Sequence, residues 1–222
     1  MVFGFSEGRL YVLLLKYANT EYYALPGGFV RRDQDLNAAV IEGLRERTGI
    51  EHIYLEQFYT FGDVSRFQPE VMRSILAAGG KSLKENAWMT DRFVSVAYYA
   101  LINYTDVTPR PDALSESCGW YPLHKLPALM QDHNKIVDKA LQTLRDNLER
   151  KLVGVNLLPK RFTMKDLQHV YEAILGHRLH RGTFQRKMLS LDILKRHEKQ
   201  YSGGAHKAPY LYSFKRPKKS AR

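Results

Sequence analysis

Two short apolar runs near the beginning of the chain predict a β-hairpin. Val2–Phe5 and Leu10–Leu15 consist mostly of apolar residues and are separated by Ser6-Glu7-Gly8, a sequence typical of a tight turn. Apolar runs of similar, strand-like character recur at residues 53–62 and 93–102. We therefore expect further strands in this part of the chain.

Two longer stretches carry apolar residues at helical spacing. One helix is expected over Asp35–Thr48 and another over Asn134–Glu149, whose inward face holds Ile136, Val137, Ala140, Leu141, Leu144 and Leu148. Residues 68–91 contain Gly79-Gly80 and no clear period, so a loop insertion is expected there. Strands and helices in this order predict a domain of the α+β class, an α/β/α sandwich with a mixed sheet.

The chain changes character around residues 151–161, where Pro159 prevents a continuous helix and a linker is expected. A helix follows, because Thr163 and Asp166 have the spacing of a capping box and Gly176 is a typical C-terminal cap. The inward face of this helix holds Met164, Leu167, Val170, Tyr171, Ile174 and Leu175.

A shorter helix is expected from about Thr183 to Ser190. Its inward side chains are Phe184, Met188 and Leu191, and its outward side chains are Thr183, Gln185, Arg186 and Ser190. Ile193–Lys199 and Tyr210–Phe214 then predict two strands, which a glycine-containing loop at residues 201–209 connects. Helix, turn, helix and hairpin form the order of a winged helix-turn-helix, so we divide the chain into domains at residues 1–150 and 151–222.

Charge is distributed unevenly between these two domains. The net charge is +11; residues 1–150 contribute −2, from 17 Lys and Arg against 19 Asp and Glu, and residues 151–222 contribute +13, from 17 against 4. An excess of cations confined to one domain predicts a polyanionic partner, of which nucleic acid is the commonest. The last basic residues, 215–222, are expected to form a solvated tail.

The remaining composition favours a cytoplasmic protein without a membrane anchor. No apolar run approaches the ~20 residues needed to cross a bilayer. The first residues, MVFGFSEGRL, contain neither the basic leader nor the apolar segment of a signal peptide. The one cysteine, Cys118, cannot form an internal disulfide, which fits a reducing compartment.

Residues 28–50, GFVRRDQDLNAAVIEGLRERTGI, carry the most specific motif of the chain. They resemble the box of the Nudix hydrolases, whose pattern is G-x5-E-x7-R-E-U-x-E-E-x-G-U, with U a bulky apolar residue. Gly28, Leu44, Glu46 and Gly49-Ile50 match this pattern at the required spacing. The resemblance implies a loop, helix and loop whose helical glutamates hold a divalent metal against a diphosphate.

The carboxylates that this chemistry needs are mostly absent. On the expected helix, the positions where the family has metal-binding glutamates lie on one face, and here they are Gly43, Glu46 and Arg47. Gln34 and Glu42 stand where the pattern has Glu and Arg. Because Mg²⁺ requires clustered oxygen ligands, we expect neither a bound metal, nor a cofactor, nor catalytic residues in this box.

Other segments extend the resemblance over nearly the whole chain. Downstream segments of Nudix domains are similar to residues 59–63, 94–101, 120–127 and 132–133. The C-terminal domain of the Nudix-related transcriptional regulators of bacteria, which control NAD synthesis or sugar catabolism, resembles residues 156–163, 167–176 and 183–187. The resemblance implies an inactive Nudix domain that senses an effector and a winged helix that reads DNA.

A regulator of this family is expected to be a homodimer that represses transcription from a palindromic operator in double-stranded DNA and releases it when an effector binds. The expected DNA contacts are Arg181, Thr183, Gln185, Arg186, Lys187, Lys195, Arg196, Lys199, His206 and Lys207. The effector is expected to be a pentose such as arabinose or an ADP-ribose-like nucleotide. Its expected contacts are Tyr23, Glu46, Phe61, Asp63, Arg66 and Tyr99.

Two alternatives stay open on the sequence alone. In the first, the protein is an active Nudix pyrophosphatase of the ADP-ribose type, with a basic domain that binds nucleic acid nonspecifically. Its metal ligands would be Glu42, Glu46 and an auxiliary carboxylate such as Asp63. In the second, the protein is a structural or assembly module without a small ligand.

Overall fold

A mixed sheet forms the centre of the N-terminal domain in the computed structural model, which describes residues 1–66, 68–103, 105, 107–148, 157–200 and 208–215. Its strands are β1 (Val2–Ser6), β2 (Arg9–Tyr17), β3 (Tyr23–Ala24), β4 (Glu56–Phe61), β5 (Ser95–Asn103) and β6 (Ser115–Pro122). The order is β3-β2-β1-β5-β4, with β6 also paired to β2. The predicted hairpin and the strands expected at residues 53–62 and 93–102 are confirmed.

Strand β2 pairs with three other strands, β1, β3 and β6. β1 runs antiparallel to β2 and parallel to β5, so the sheet is mixed, as predicted. β6 pairs antiparallel with β2 over Tyr11–Tyr17. The short strand β3 pairs with Leu15 and Lys16 of β2, so it shares with β1 the edge of β2 that β6 leaves open.

Helices cover both faces of this sheet. They are α1 (Leu36–Thr48), α2 (Pro69–Ala78) and α3 (His133–Asn147). Successive side chains of a strand point to opposite faces, so β5 contributes Ala100 to the core beneath α1 and Tyr99 to the core beneath α3. Leu44 of α1 and Ile136 of α3 belong to these two separate cores. The predicted α/β/α sandwich is confirmed.

The loop expected over residues 68–91 is wrong for Pro69–Ala78, which forms α2. Pro69 stands in the first turn, where the missing N–H has no partner to lose. Met72, Ile75 and Leu76 bury one face of the helix. Their spacing is helical, but it covers one repeat only before Gly79-Gly80, so no period is visible in the sequence.

The C-terminal domain is a winged helix-turn-helix, as predicted. Its elements are β7 (Phe162–Thr163), α4 (Met164–Leu175), α5 (Arg181–Ser190), β8 (Leu194–Lys199) and β9 (Tyr210–Phe214). Thr163 and Asp166 form the predicted capping box, and Gly176 ends α4 with φ of 80°. Leu191, predicted to point inward, is 44% exposed because α5 ends one residue earlier.

The two domains share one hydrophobic core. Leu144 and Leu148 at the end of α3 belong to the same cluster of buried side chains as Leu167 and Ile174 of α4. Tyr171 adds a hydrogen bond, because its hydroxyl donates to the carbonyl of Leu148 at 3.3 Å. The C-terminal domain is therefore packed directly against the helix that covers the central sheet.

Several predictions fall on residues outside the described ones. The domain boundary near residue 150 and part of the expected linker fall on residues 149–156, the loop of the wing on 201–207, and most of the basic tail on 216–222. Within the described ranges, no helix combines the length and the apolar character that crossing a membrane requires.

Candidate nucleic-acid interface and ligand cleft

Helix α5 presents a polar, cationic surface because its apolar side chains point into the core. Phe184 and Met188 are buried, and the Phe184 ring packs edge-on against Tyr171 with centroids 5.1 Å apart. The helix begins two residues before the expected Thr183, since His180 Nδ1 accepts a hydrogen bond from the Thr183 amide. The predicted contacts on this helix are all exposed or half-buried: Arg181, Thr183, Gln185, Arg186 and Lys187.

The turn between α4 and α5 is held by side chains of α4. Glu172 Oε1 accepts hydrogen bonds from the Leu179 amide at 2.8 Å and from Gln168 Nε2 at 2.9 Å. Gln168 Nε2 also donates to the Leu179 carbonyl at 3.0 Å. The hydrogen bond from the Leu179 backbone lowers the pKa of Glu172, so this carboxylate stays charged. The orientation of α5 relative to α4 is therefore fixed.

Two cationic side chains of the wing, the hairpin of β8 and β9, stack on a tyrosine ring. Arg196 and Lys199 of β8 lie over the ring of Tyr210 in β9. The Cζ atom of Arg196 is 4.6 Å from the ring centroid, and the Nζ atom of Lys199 is 5.4 Å from it. An irregularity in the pairing of β8 and β9 between Arg196 and Lys199 places both residues close to Tyr210. Lys195 is exposed, whereas the predicted contacts His206 and Lys207 lie outside the described residues.

The box of residues 28–50 keeps its frame in the structure. Asp35 caps α1 by accepting from the Ala38 amide at 2.8 Å, and Gly28 and Gly43 lie in close backbone contact. Gln34 Nε2 donates to Glu42 Oε2 at 2.5 Å. The side chains at the two positions where the Nudix pattern has Glu and Arg therefore bind each other in this chain.

Arg47, at a position where the Nudix pattern has a metal-binding glutamate, makes contacts within the domain. Arg47 forms an ion pair with Asp112, and both side chains are largely buried, at 12% and 16% exposure. The guanidinium carbon of Arg47 lies 5.3 Å from the centre of the Tyr17 ring. Glu46 is exposed. In the described part of the chain, no three His, Cys, Asp or Glu side chains are grouped so that they could hold a metal ion.

A cleft of about 270 Å³ opens on the opposite, α3 side of the sheet. It is lined by Tyr59, Thr60, Phe61, Gly62, Asp63, Arg66, Asp132, Lys135 and Lys139. The cleft brings together Phe61, Asp63 and Arg66 of the predicted effector residues. Sequence reasoning missed Lys135 and Lys139, although their i, i+4 spacing on an expected helix was a signal that they share one face.

Arg66 lines this cleft, and four of its five N–H donors bind protein groups. Its side chain and that of Asp132 are each 6% exposed and form a two-point ion pair, with Nε and Nη2 at 2.9 Å and 3.1 Å from the carboxylate oxygens. Arg66 Nη1 donates to the Phe93 carbonyl and to Ser95 Oγ. These contacts hold the Arg66 side chain in place at the cleft, where the predicted effector contact stays a prediction.

The other predicted effector residues do not reach the cleft. Tyr99 is 4% exposed in the core beneath α3, where burial raises its pKa to about 12. Tyr23 packs edge-on against Tyr121, with centroids 5.4 Å apart. Glu46 lies on α1, on the opposite side of the sheet. The predicted set of six residues is therefore divided among at least three places.

Acid is expected to destabilise the protein through His133, which follows Asp132 at the start of α3. His133 Nδ1 accepts a hydrogen bond from the Leu25 amide at 3.0 Å, and burial lowers the pKa of the ring from 6.5 to about 4. Between these values the unfolded chain binds more protons than the folded one. Stability should therefore fall as pH drops below 6.5, by up to about 1.4 kcal/mol per pH unit.

Urea unfolding at pH 7, 6, 5 and 4.5 tests this prediction. His133→Asn keeps an acceptor for the Leu25 amide but cannot take up a proton, so its stability should depend less steeply on pH. His52→Asn is the matched control, because the His52 side chain is 95% exposed. Equal slopes in the wild type and His133→Asn would contradict the assignment.

Comparisons with known proteins agree with the geometry of both domains. Residues 154–214 match the family described as the NrtR DNA-binding winged helix domain. The ADPR responsive transcriptional repressor NtrR of Acinetobacter baylyi is 30% identical over 220 residues, which cover 96% of this chain and 79% of that protein.

Solved structures show the same two-domain architecture. Shewanella oneidensis NrtR, crystallised with a 27mer DNA, is 26% identical, with a TM-score of 0.67 over 96% of this chain and 90% of its own. A MutT/nudix family protein from Enterococcus faecalis is 19% identical, with a TM-score of 0.72 over 96% of this chain and 83% of its own. The second similarity concerns the fold alone.

Proposed function

We propose that this chain, which belongs to the NrtR family of transcriptional regulators, is a transcriptional repressor. It releases its DNA operator when an ADP-ribose-like nucleotide binds to the N-terminal domain. The observation that carries the proposal is the cationic face of α5, held by a fixed turn and packed on the domain that contains the cleft. The related repressor from Acinetobacter baylyi, described as ADPR responsive, supports the choice of effector.

DNA recognition is assigned to α5 and the wing. In a winged helix-turn-helix the second helix enters the major groove, where Gln185 and Arg186 are residue types that read adenine and guanine edges. Lys195 and the stacked pair Arg196 and Lys199 are suited to phosphates beside this groove. A homodimer presents two such helices, so the operator should be palindromic. The protein is proposed to act in the cytoplasm.

The chemistry of the cleft favours a nucleotide over a free pentose. Lys135 and Lys139 supply two cationic groups, which suit a diphosphate and are of little use to an uncharged sugar. Tyr59 and Phe61 offer ring surface for a base or ribose, and Lys139 Nζ lies 5.0 Å from the Tyr59 centroid. We therefore propose that the repressor regulates NAD-related genes. Regulation of sugar catabolism is the alternative.

The box is proposed to bind no catalytic metal, because a cation, Arg47, occupies a ligand position. The rival function, an ADP-ribose pyrophosphatase, requires metal-dependent turnover that Glu46→Gln abolishes. Hydrolysis of ADP-ribose by the purified protein in Mg²⁺, lost in Glu46→Gln, would establish the rival. No turnover together with saturable binding would support a sensor.

The experiment that tests the proposal is fluorescence anisotropy on a duplex from upstream of the protein's own gene neighbourhood, against a scrambled duplex, at one fixed salt concentration. Specific binding should exceed nonspecific binding by ~10³ or more. ADP-ribose should then release the operator, whereas arabinose should not. Release by arabinose alone would move the proposal to sugar regulation, and no preference between the duplexes would refute a sequence-specific regulator.

The cleft lysines provide a matched test of the effector site. The double variant Lys135→Ala and Lys139→Ala should weaken ADP-ribose binding by roughly tenfold or more, since a charge-assisted hydrogen bond contributes about 1.5–3 kcal/mol. Lys125→Ala, which removes an exposed lysine outside the cleft, is the control. Unchanged affinity in the double variant, measured by calorimetry, would place the effector elsewhere.

DNA-binding variants should separate base reading from phosphate contact. Gln185→Ala should lower operator affinity by about tenfold to a hundredfold while leaving scrambled-duplex affinity unchanged, since one base contact contributes about 1–3 kcal/mol. Lys195→Ala should weaken both duplexes equally and reduce the slope of log affinity against log salt by about 1. Anisotropy titrations at four salt concentrations measure both effects. If Gln185→Ala weakened both duplexes equally and Lys195→Ala weakened the operator alone, Lys195 would read bases and Gln185 would contact phosphate.

A further inference from the structure

Helix α3 reaches both the effector cleft and the DNA-reading domain. Near its beginning, Lys135 and Lys139 line the cleft, and Asp132 is anchored to Arg66. Near its end, Arg145 contacts α4 and Leu148 is buried in the shared core. Lys139 and Arg145 are six residues apart, which corresponds to about 9 Å along a helix. A single rigid element therefore connects the two sites.

The contact at the end of α3 is a charged hydrogen bond to a helix terminus. Arg145 Nε donates to the carbonyl of Ile174 at 2.8 Å. This carbonyl belongs to the last turn of α4, where carbonyl groups lack helical partners and the helix dipole favours a cation. Arg145 therefore holds α4 at the point where the chain turns towards α5.

A displacement of α4 at this point must move α5. The turn between the two helices is fixed by Glu172 and Gln168, which bind both backbone groups of Leu179. Packing between α3 and α5 is looser, since a cavity of about 600 Å³ lies between α3, α4 and α5. Its wall includes Arg145, Leu148 and Phe184. The loose packing leaves α4 and α5 room to change their angle to α3 together.

We propose that Arg145 is the positioning residue through which the effector cleft controls the DNA-reading helix. This inference rests on the proposed function for the identity of effector and DNA, but its structural basis is independent of both. An effector held by Lys135 and Lys139 favours one position of α3, and Arg145 transmits that position to the end of α4. Coupling of this kind requires that the effector bind the two arrangements with different affinity.

The first test compares Arg145→Met with Arg73→Met. Both variants remove one arginine, but Arg73 is exposed on α2 and pairs with Glu70 on the surface. In the wild type, saturating ADP-ribose should raise the operator Kd by about 5- to 150-fold. Arg145→Met should bring this ratio down to about 1–2, while calorimetry shows ADP-ribose affinity unchanged within about twofold. Arg73→Met should retain the wild-type ratio.

A second measurement needs neither ligand nor DNA. Without the hydrogen bond from Arg145, amide hydrogen exchange in residues 174–184 should accelerate by about tenfold, as expected for a charged hydrogen bond of about 1.5 kcal/mol. Exchange in the central strands β2 and β5 should stay unchanged in Arg145→Met, which excludes global destabilisation.

The outcomes separate the two proposals. Unchanged exchange in residues 174–184, or a wild-type ratio in Arg145→Met, overturns the role of Arg145 and leaves the proposed function intact. If ADP-ribose fails to change the operator Kd of the wild type, the proposed function fails, and the control role of Arg145 fails with it. Faster exchange together with a collapsed ratio supports both.

Discussion

Replacing Arg66 by methionine should lower the free energy of unfolding by about 3–5 kcal/mol, a large part of the stability of a domain of this size. The variant leaves Asp132 as a buried carboxylate without its partner, and it removes the hydrogen bonds to Phe93 and Ser95. Urea unfolding at pH 7, followed by intrinsic fluorescence, measures the loss from the shift in midpoint at constant slope.

Arg73→Met is the control for Arg66→Met, because an exposed ion pair contributes less than about 1 kcal/mol. The comparison also decides what Arg66 does in the cleft. A direct ligand contact predicts a stable variant with weak ADP-ribose binding. A positioning role predicts that Asp132→Asn destabilises the protein as well, since it breaks the same buried pair.

The winged helix was predictable from sequence because its signals are local. A capping box, a terminal glycine and one apolar face define α4 without reference to the rest of the chain. β6 was not predicted, since Ser115, Glu116 and Ser117 interrupt any strand-like alternation. Pairing with β2 determines β6 as a strand, and pairing between distant segments leaves no mark on local sequence.

The lining of the cleft was only partly predictable, because strand alternation separates the two faces of a sheet but does not say which face a given helix covers. The structure brings Phe61 and Asp63 to one cleft, since they are only two residues apart in the sequence. Tyr99 was placed with them, although the strand directs it into the core. Lys135 and Lys139 enter the cleft only because α3 packs on the same face as β4, a tertiary relation that no local pattern specifies.

The box shows how a segment that departs from the Nudix pattern keeps its local fold. Each departure from the Nudix pattern has a structural partner: Gly43 packs against Gly28, and Gln34 binds Glu42. These contacts hold the loop before α1 against the helix. The ion pair of Arg47 with the largely buried Asp112 adds to the internal packing of this segment.

Restoring a metal ligand at one of these positions should therefore be costly. Arg47→Glu removes the cation that pairs with Asp112 and places two carboxylates in a largely buried site, so the free energy of unfolding should fall by about 3 kcal/mol or more. The double variant Arg47→Glu and Asp112→Arg reverses the pair and should recover a substantial part of this loss. Urea unfolding of both variants and of Asp112→Arg completes a double-mutant cycle.

The same cycle tests whether position 47 is a metal-ligand site or a part of a structural ion pair. If Arg47→Glu is as stable as the wild type and binds Mg²⁺ in calorimetry, the position is still a ligand site and the ion pair has no structural role. If it is destabilised and the reversed pair rescues it, a single substitution cannot restore the hydrolase box. Regaining a carboxylate at position 47 then requires a compensating change at position 112, because the two side chains are coupled in the folded domain.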